Sequence, residues 1–443
     1  MQTFFSPGEI TRGGLLVVAT IFMILKSKLW LSSYNIFLAV LCILLLVSVL
    51  IAPNFPDSLL FDIKAAARVL YGPFVVLVFL ALIKHYDVSA ERLLFYVEIS
   101  FYLIGISLLI QSFFDIGKDT YGSYAYGFKG LFKPQNDIGL SSAITLAAAL
   151  YGNLVKPSFV RLIMLCLAML GVVGMGTRTA MAAPVVVMMA IILVVLIARI
   201  ASFERSGRPL RIYPKTFFLI IIFPLFATFY SYSLATGVSI VPSFLDDVFH
   251  NEAEALFPSG AKNTNVSNIN TDPITTTKAR GTAKPRATEY QKMKMERTAK
   301  GVVYRKDLLD GAVKYTSQRP IAYDFFGEGA YSFRSNVAKQ WPNFAWGKQK
   351  YVEMDWFDLY GEYGVLFSIL LTLFYFYFLL LAVFYFFTSK KVEFGVFALM
   401  FGLYIAHSLI AGHAMNSPMV STLIAAIIGF LLFFRSSMEK IET

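Results

Sequence analysis

The chain alternates long apolar segments with short polar ones, and one polar segment is far longer than the others. Runs of about 20 apolar residues recur, which is the length an α-helix needs to cross the hydrocarbon core of a bilayer. The pattern predicts an all-α polytopic membrane protein with about eleven spans; a twelfth would move the amino terminus to the other side. The predicted spans are 13–31, 34–52, 69–83, 93–114, 138–155, 159–176, 179–198, 215–235, 363–388, 393–411 and 418–434.

The spans divide the chain into three parts. Residues 1–236 form the first eight helices, residues 237–362 one large loop, and residues 363–443 the last three helices with a short cytoplasmic tail. Within the loop, residues 259–300 are rich in Asn, Thr and Lys and poor in aliphatic side chains. Such a segment buries too little apolar surface to fold alone, so we expect it to be mobile. Residues 302–355 carry apolar positions at helical spacing and are expected to be structured.

The amino-acid composition supports a membrane protein and argues against nucleic acid as a partner. Hydrophobic residues make up 57% of the chain and charged residues 15%, whereas soluble domains carry about 25% charged residues. A net charge of +11 indicates nucleic-acid binding in some soluble proteins. In a membrane protein it mostly reflects topology, so no nucleic-acid partner is expected.

Basic residues predict the orientation. Most Lys and Arg of the short loops fall in one set, which includes Lys84, Arg92, Lys156 and Arg161, and such loops are cytoplasmic by the positive-inside rule. The large loop then lies on the external side. The end of the sixth span at Arg178 and the turn at residues 412–417 lie on that side as well.

Several short motifs occur in a characteristic order. Gly176-Thr177-Arg178-Thr179 stands at the external end of a span, and Arg305 opens a helical pattern in the large loop. Arg319-Pro320 leads to Gly327-Glu328-Gly329, and a last motif runs from Glu353 to Gly364. In this order, spacing and sidedness the chain resembles the superfamily of O-antigen polymerases and O-antigen ligases over about residues 133–421.

The resemblance implies a membrane glycosyltransferase of GT-C-like fold in the bacterial inner membrane, with the large loop in the periplasm. Its donor would be an undecaprenyl-diphosphate-linked oligosaccharide and its product a lipopolysaccharide O-antigen or a related surface glycan. A chain-length regulator and a flippase are implied partners, besides membrane lipids. One departure matters: ligases of the superfamily typically carry a His where this sequence has Glu353. That difference favours a polymerase over a ligase.

Four arginines are candidate ligands of the donor's diphosphate. Guanidinium groups suit phosphates because they stay charged and bind two oxygens at once. For each, the alternative is a structural ion pair or a solvated position. The candidates are Arg178, Arg305, Arg319 and Arg334.

Acceptor activation needs a base, and an acidic cluster and one histidine are candidates. Glu353, Asp355 or His413 would take the proton of a sugar hydroxyl, and Asp358 would bind substrate. The alternative for the acids is capping of the ninth span's amino terminus. Asn136 opens the fifth span and either lines the same cavity or caps that helix.

The sequence lacks the motifs of several common enzyme classes. It holds no P-loop, HExxH motif or CxxC pair, so we expect no metal and no cofactor. Polymerase is the favoured function, ligase is its alternative, and a polysaccharide flippase or transporter is the alternative of another class.

Overall fold

The computed structural model describes residues 14, 33–114, 116–119, 127–132, 135–201, 204–205, 208–209, 221–222, 224, 305–340 and 350–442. The first helices are α1 (Ser33–Leu50), α2 (Leu59–Tyr86), α3 (Ala90–Phe113), α4 (Gln135–Val155), α5 (Phe159–Gly174) and α6 (Arg178–Ile200). They are followed by α7 (Arg305–Thr316), α8 (Ile321–Phe326), α9 (Ala330–Lys339), α10 (Asp355–Ser389), α11 (Val392–Ile410) and α12 (Pro418–Glu442). Two short antiparallel pairs complete it, β1 (Lys118–Asp119) with β2 (Phe128–Gly130) and β3 (Glu204–Arg205) with β4 (Arg208–Pro209).

The predicted all-α polytopic fold is confirmed. Within the described residues, eight helices are long and apolar enough to cross a membrane, namely α1, α2, α3, α4, α6, α10, α11 and α12, and α5 is a shorter apolar helix. The predicted spans 13–31 and 215–235 lie almost entirely outside the described residues. The segment 259–300, expected to be mobile, lies outside them as well.

Two spans begin earlier than the hydrophobic pattern predicted. The helix expected from residue 69 begins at Leu59, and the one expected from residue 363 begins at Asp355. Both extensions contain acidic residues, which a hydropathy pattern reads as loop. The acids are nevertheless buried, as Asp62 and Asp355 show, because backbone N–H groups of other segments bond to them. The site described below lies on these two extensions.

Small residues let the helices at the centre approach one another closely. In α4 nearly every residue is buried, and its sequence is rich in Gly, Ser and Ala. Between α3 and α5, a Cβ added to Gly105 or Gly171 would overlap backbone atoms of the opposite helix. Such residues are typical of helix contacts in membranes, where van der Waals packing replaces the hydrophobic effect.

One end of the bundle carries a layer formed by α7, α8 and α9, which we call the lid. Ala312, Phe333, Val337, Val352 and Phe357 form a separate hydrophobic cluster that holds α7 and α9 against the start of α10. Ser48 at the end of α1 donates a hydrogen bond of 2.8 Å to the carbonyl of Glu362. Chain connectivity places the starts of α4 and α6 and the turn between α11 and α12 at this same end.

Candidate active site beneath the lid

A buried ion pair joins the lid to α10. Arg334 of α9 donates from Nε to Oε1 of Glu362 at 2.7 Å and from Nη2 to Oε2 at 3.0 Å. Both residues are nearly inaccessible, at 5% and 0% exposed. A guanidinium and a carboxylate in this two-point geometry fix each other's orientation as well as their charge. Arg334, a predicted phosphate ligand, is therefore held by a protein carboxylate.

The ring of Tyr351 packs on Arg334, and the imidazole of His413 packs on Tyr351 further from the ion pair. The Arg334 guanidinium carbon lies 3.9 Å from the ring centre of Tyr351. The His413 ring meets Tyr351 edge to face at 5.4 Å. Arg334, Tyr351 and His413 therefore form a stack whose outer member, His413, is only half buried. This stack brings a predicted cation and a predicted base into one cluster.

The charges in the stack follow from burial and from Glu362. Burial opposes the charge of Arg334, but the Glu362 carboxylate outweighs it and raises the pKa of the guanidinium. Burial also raises the pKa of Tyr351, while Arg334 and Arg68 of α2 act in the opposite sense. Tyr351 therefore stays a neutral phenol at neutral pH beside a permanent cation.

Asp355 shapes the turn that carries His413. Its Oδ1 accepts a hydrogen bond from the His413 amide at 2.6 Å. Its Oδ2 accepts from the amides of Ala414 at 2.7 Å and Met415 at 2.9 Å. The side chain is 1% exposed, so in this structure Asp355 positions the turn, and its expected catalytic role stays a prediction. It also does not cap its own helix, because the residues it binds belong to the turn before α12.

Asp358 holds the segment that leads into α10, again through backbone amides that donate to its carboxylate. Its two oxygens accept from the amides of Val352 at 2.9 Å and Glu353 at 3.2 Å. Asp358 is 2% exposed and holds this segment in place, and its expected role in substrate binding stays a prediction. Glu353 itself lies at the surface of the site, with φ at 70°. Lys350 donates to its carboxylate at 2.8 Å.

Asp62 of α2 holds the start of α9. The amide of Tyr331 donates to its Oδ1 at 2.8 Å, and the residue before the helix is Gly329, which has no side chain to cap it. A carboxylate at this position satisfies an amide that the helix leaves unpaired and complements its dipole. Because Arg334 lies one turn further on, Asp62 positions the helix that carries the guanidinium.

A break in α10 allows the lid to pack against it. Gly364 has φ 80° and ψ 171° inside an otherwise helical segment, a conformation open essentially to glycine alone. A Cβ on Gly364 would overlap the carbonyl of Phe325, and one on Gly327 would overlap the carbonyl of Glu362. The two glycines therefore bring the backbones of α8 and α10 into direct contact.

Arg319 belongs to a second buried network within the lid. Its Nε donates to Asp324 at 3.0 Å, its Nη1 donates to the Gly361 carbonyl at 3.2 Å, and Glu328 lies 3.6 Å away. The guanidinium also stacks on the Tyr360 ring at 4.7 Å. With 1% of its side chain exposed, Arg319 is packed within the lid, and its expected role as a phosphate ligand stays a prediction.

Glu328 is the most buried acid of this network. Tyr315 donates a hydrogen bond of 2.6 Å to its Oε2, and Asn336 donates one of 3.2 Å. Burial raises the pKa of Glu328 above its ordinary value, although Tyr315 and Arg319 favour the charged form. The Pro-to-Gly motif predicted as a close-approach turn is thus a lid segment that carries its own titratable group.

Three predicted residues lie at the starts of helices at the lid end of the bundle. Arg178 is the first residue of α6 and Arg305 the first of α7; their side chains lie outside the described part. Thr177 caps α6 by accepting from the amide of Ala180 at 3.2 Å. Asn136 lies in the first turn of α4, half buried. The phosphate-binding roles of Arg178, Arg305 and Asn136 stay predictions.

Sequence reasoning overlooked Glu362, Tyr351 and Asp62. Glu362 and Asp62 both stand within strongly apolar helices, and an ionisable residue in such a helix is a functional candidate by itself. The predicted spans began only at residues 69 and 363, so Asp62 and Glu362 fell just outside them and this signal was missed. For Tyr351 no sequence signal separates it from the many aromatic residues at membrane surfaces.

The described residues contain no group of three or more His, Cys, Asp or Glu side chains that could hold a metal ion. Cys42 and Cys166 are free thiols in this part of the chain.

Comparison with known proteins bears on the family. A family model described as "O-antigen ligase like membrane protein" matches residues 5–438. No curated protein and no solved structure matches the chain. The match covers nearly the whole sequence and confirms the resemblance drawn from the motifs. The chain belongs to the family of O-antigen ligase like membrane proteins and is a membrane enzyme that processes glycans.

Proposed function

We propose that this protein is a glycan polymerase that extends a lipid-linked surface polysaccharide. The growing glycan is transferred from undecaprenyl diphosphate to a sugar hydroxyl of a second lipid-linked repeat unit. The bond between the anomeric carbon and the diphosphate breaks, and a bond from that carbon to the acceptor oxygen forms. The acceptor's proton passes to a base of the protein, and the lipid diphosphate leaves.

The observation that carries this proposal is the stack of Arg334, Tyr351 and His413 beside the Lys350–Glu353 pair. It brings an imidazole and a partly exposed carboxylate together where the apolar bundle meets the polar lid. Lipid diphosphates present their charge at that level of a membrane protein. Either His413 or Glu353 is the base, because both lie at the surface of the site while Asp355 and Asp358 are occupied by backbone amides.

The diphosphate requires cations that protein carboxylates do not already hold. Arg319 is paired with Asp324 and with the buried Glu328, and Arg334 is paired with the buried Glu362. We therefore assign donor binding to Arg178 and Arg305, whose helices begin at the lid end of the bundle. Asn136 at the start of α4 is the proposed hydrogen-bond partner of the glycan. Positive charge at the leaving group would stabilise the transition state.

Glu353 supports polymerisation over ligation, because ligases of the superfamily typically carry His there. The family's description names a ligase, and transfer to lipid A-core is therefore the second candidate. Purified protein in nanodiscs, supplied with defined lipid-linked repeats, should produce a ladder of lengthened glycans. A single transfer to added lipid A-core with no ladder would replace polymerase by ligase. Movement of the lipid-linked glycan across vesicles without a new glycosidic bond would replace both by transport.

Two variants test the base, each with a matched control. His413 has φ 64°, and Asn tolerates this left-handed conformation well, so His413→Asn removes the imidazole and leaves the turn. Its control is His85→Asn, whose ring also packs edge to face on a tyrosine, Tyr86 at 4.7 Å, at the opposite end of α2. Glu353→Gln has its control in Asp87→Asn, an exposed acid of φ 46° at that same end.

We expect one of the two site variants to lower the polymerisation rate by about 10²–10⁴-fold, the usual contribution of a positioned base. Both controls should keep the wild-type rate. Full activity in both His413→Asn and Glu353→Gln would show that neither residue of this site is the base.

The proposal also expects the enzyme in the bacterial inner membrane with the lid toward the periplasm, working beside a flippase and a chain-length regulator. Protease accessibility of the lid from the periplasm tests that orientation.

A further inference from the structure

A cavity lies at the end of the bundle opposite to the lid, between the start of α3, the end of α4 and the start of α5. Its volume is about 370 Å³. Three cations line it, Arg92, Lys156 and Arg161, together with two acids, Glu91 and Glu98. Leu94, Phe95 and Val155 add an apolar side. The lining thus combines charge with apolar surface at a helix-end boundary, far from the glycan site.

Arg161 is fixed in place by the protein. Its Nε lies 3.2 Å from Oε1 of the buried Glu98, and its Nη1 donates to the carbonyl of Lys156 at 3.0 Å. Its guanidinium carbon lies 5.4 Å from the ring centre of Phe95. These contacts use Nε and Nη1 and leave Nη2 of the same guanidinium for a ligand. A preoriented guanidinium loses little entropy when it binds an anion.

The acids of the lining are already compensated. Glu98 is 1% exposed, accepts a hydrogen bond of 2.7 Å from Tyr102 and is paired with Arg161. Glu91 forms an ion pair with Lys156. Three cations against two acids leave one positive charge in excess, and of the three cations Arg92 and Lys156 are exposed. The cavity therefore favours a ligand with a single negative charge.

The apolar side of the cavity distinguishes a lipid from a free anion. Phe95 is 42% exposed and its neighbour Tyr96 is 55% exposed, on a helix apolar enough to span the membrane. An acyl chain lying along this face would bring its headgroup to the level of Arg92, Lys156 and Arg161. We propose that this cavity binds the phosphodiester headgroup of an anionic membrane phospholipid. The site is separate from glycan transfer and does not depend on it.

Lipid binding to the purified full-length protein tests the proposal, with no glycan present. Phosphatidylglycerol should bind and phosphatidylcholine should not. Native mass spectrometry and the rise in unfolding temperature measure the binding of each lipid. Glycerol phosphate is the water-soluble probe of the same chemistry and should bind far more weakly. Equal effects of glycerol phosphate and phosphatidylglycerol would overturn the assignment to a lipid.

The double variant Arg92→Gln, Lys156→Gln locates the binding. It leaves Arg161 and its buried contacts intact, and it should weaken phosphatidylglycerol binding by about tenfold or more, since each tenfold step needs only about 1.4 kcal/mol. Lys84→Gln is the matched control, an exposed cation at the same end of the bundle but outside the lining. Unchanged binding in the double variant, or an equal loss in the control, would overturn the site.

Discussion

Arg334 and Glu362 face each other in a two-point ion pair that is closed to solvent and ties the lid to α10. Each charge compensates the other in a place where water does not reach, so neither is tolerated alone. The same pair supports the ring of Tyr351 and, through it, the imidazole of His413. Its loss should therefore affect both stability and transfer.

Removing one member of the pair should destabilise the protein strongly. We expect Arg334→Gln and Glu362→Gln each to lower the free energy of unfolding by about 3–5 kcal/mol. The double variant Arg334→Met, Glu362→Leu should recover much of that loss, because it leaves no buried charge. Thermal unfolding in detergent measures all three, with Arg199→Gln as an exposed control in the last turn of α6. Additive losses in the double variant would contradict the assigned pairing.

Asp355→Asn should loosen the turn that carries His413. An amide offers one acceptor oxygen where the carboxylate offers two, and its NH₂ group faces backbone donors. We expect a loss of about 1–3 kcal/mol and faster hydrogen–deuterium exchange at residues 413–415. Asp358→Asn is the matched control and should instead speed exchange at residues 352–353. Unaltered exchange at 413–415 in Asp355→Asn would refute the positioning role.

Gly364→Ala should separate the lid from α10. The φ of 80° excludes a side chain, and the new methyl group would meet the carbonyl of Phe325. A cost of at least about 1–3 kcal/mol follows from the backbone conformation alone. Gly402→Ala in α11 is the control, since a Cβ there meets nothing within 4 Å and Ala favours the helix. Limited proteolysis of the lid distinguishes the two; equal protection would be inconsistent with the close contact.

Stability should depend on pH through Glu328. Burial raises the pKa of this acid in the folded protein above 4.5, so the folded state holds the proton more tightly than the unfolded state. Its contribution to stability is complete below pH 4.5 and is lost as the pH rises through the folded pKa. Glu328→Gln cannot ionise, so its unfolding temperature should fall less than that of the wild type over this rise in pH. Asp310→Asn, an exposed site on α7, should follow the wild type; parallel curves for Glu328→Gln and the wild type would contradict the assignment.

The hydrophobic pattern was sufficient for the fold class but not for the ends of the helices that build the site. Asp62, Asp355 and Asp358 read as loop residues because hydropathy registers their charge and not their partners. Those partners are the backbone amides of Tyr331, His413 and Val352. They lie far away along the chain or in an irregular segment, so the periodicity of the sequence does not predict them.

The residue types of the site were easier to predict than their roles. Arginines, acids and a histidine were expected in and beside the large loop, and the structure does bring Arg334, Glu353 and His413 together at the lid end of the bundle. Whether an arginine meets a substrate or a carboxylate depends on a partner such as Glu362, which only the folded chain brings near. Short motifs do not contain that information.

The break at Gly364 also divides α10 into a part long enough to cross a membrane and a shorter part before it. At about 1.5 Å per residue, α10, with its 35 residues, is about 50 Å long, well beyond the roughly 30 Å of a hydrocarbon core. The part after Gly364 suffices to cross that core. On the proposed function, the stretch from Asp355 to Tyr363 extends beyond the acyl chains and holds Glu362 and the stacked rings level with the headgroups. A lipid-linked donor of the proposed kind would then reach this stretch by moving sideways in its leaflet, without having to leave it.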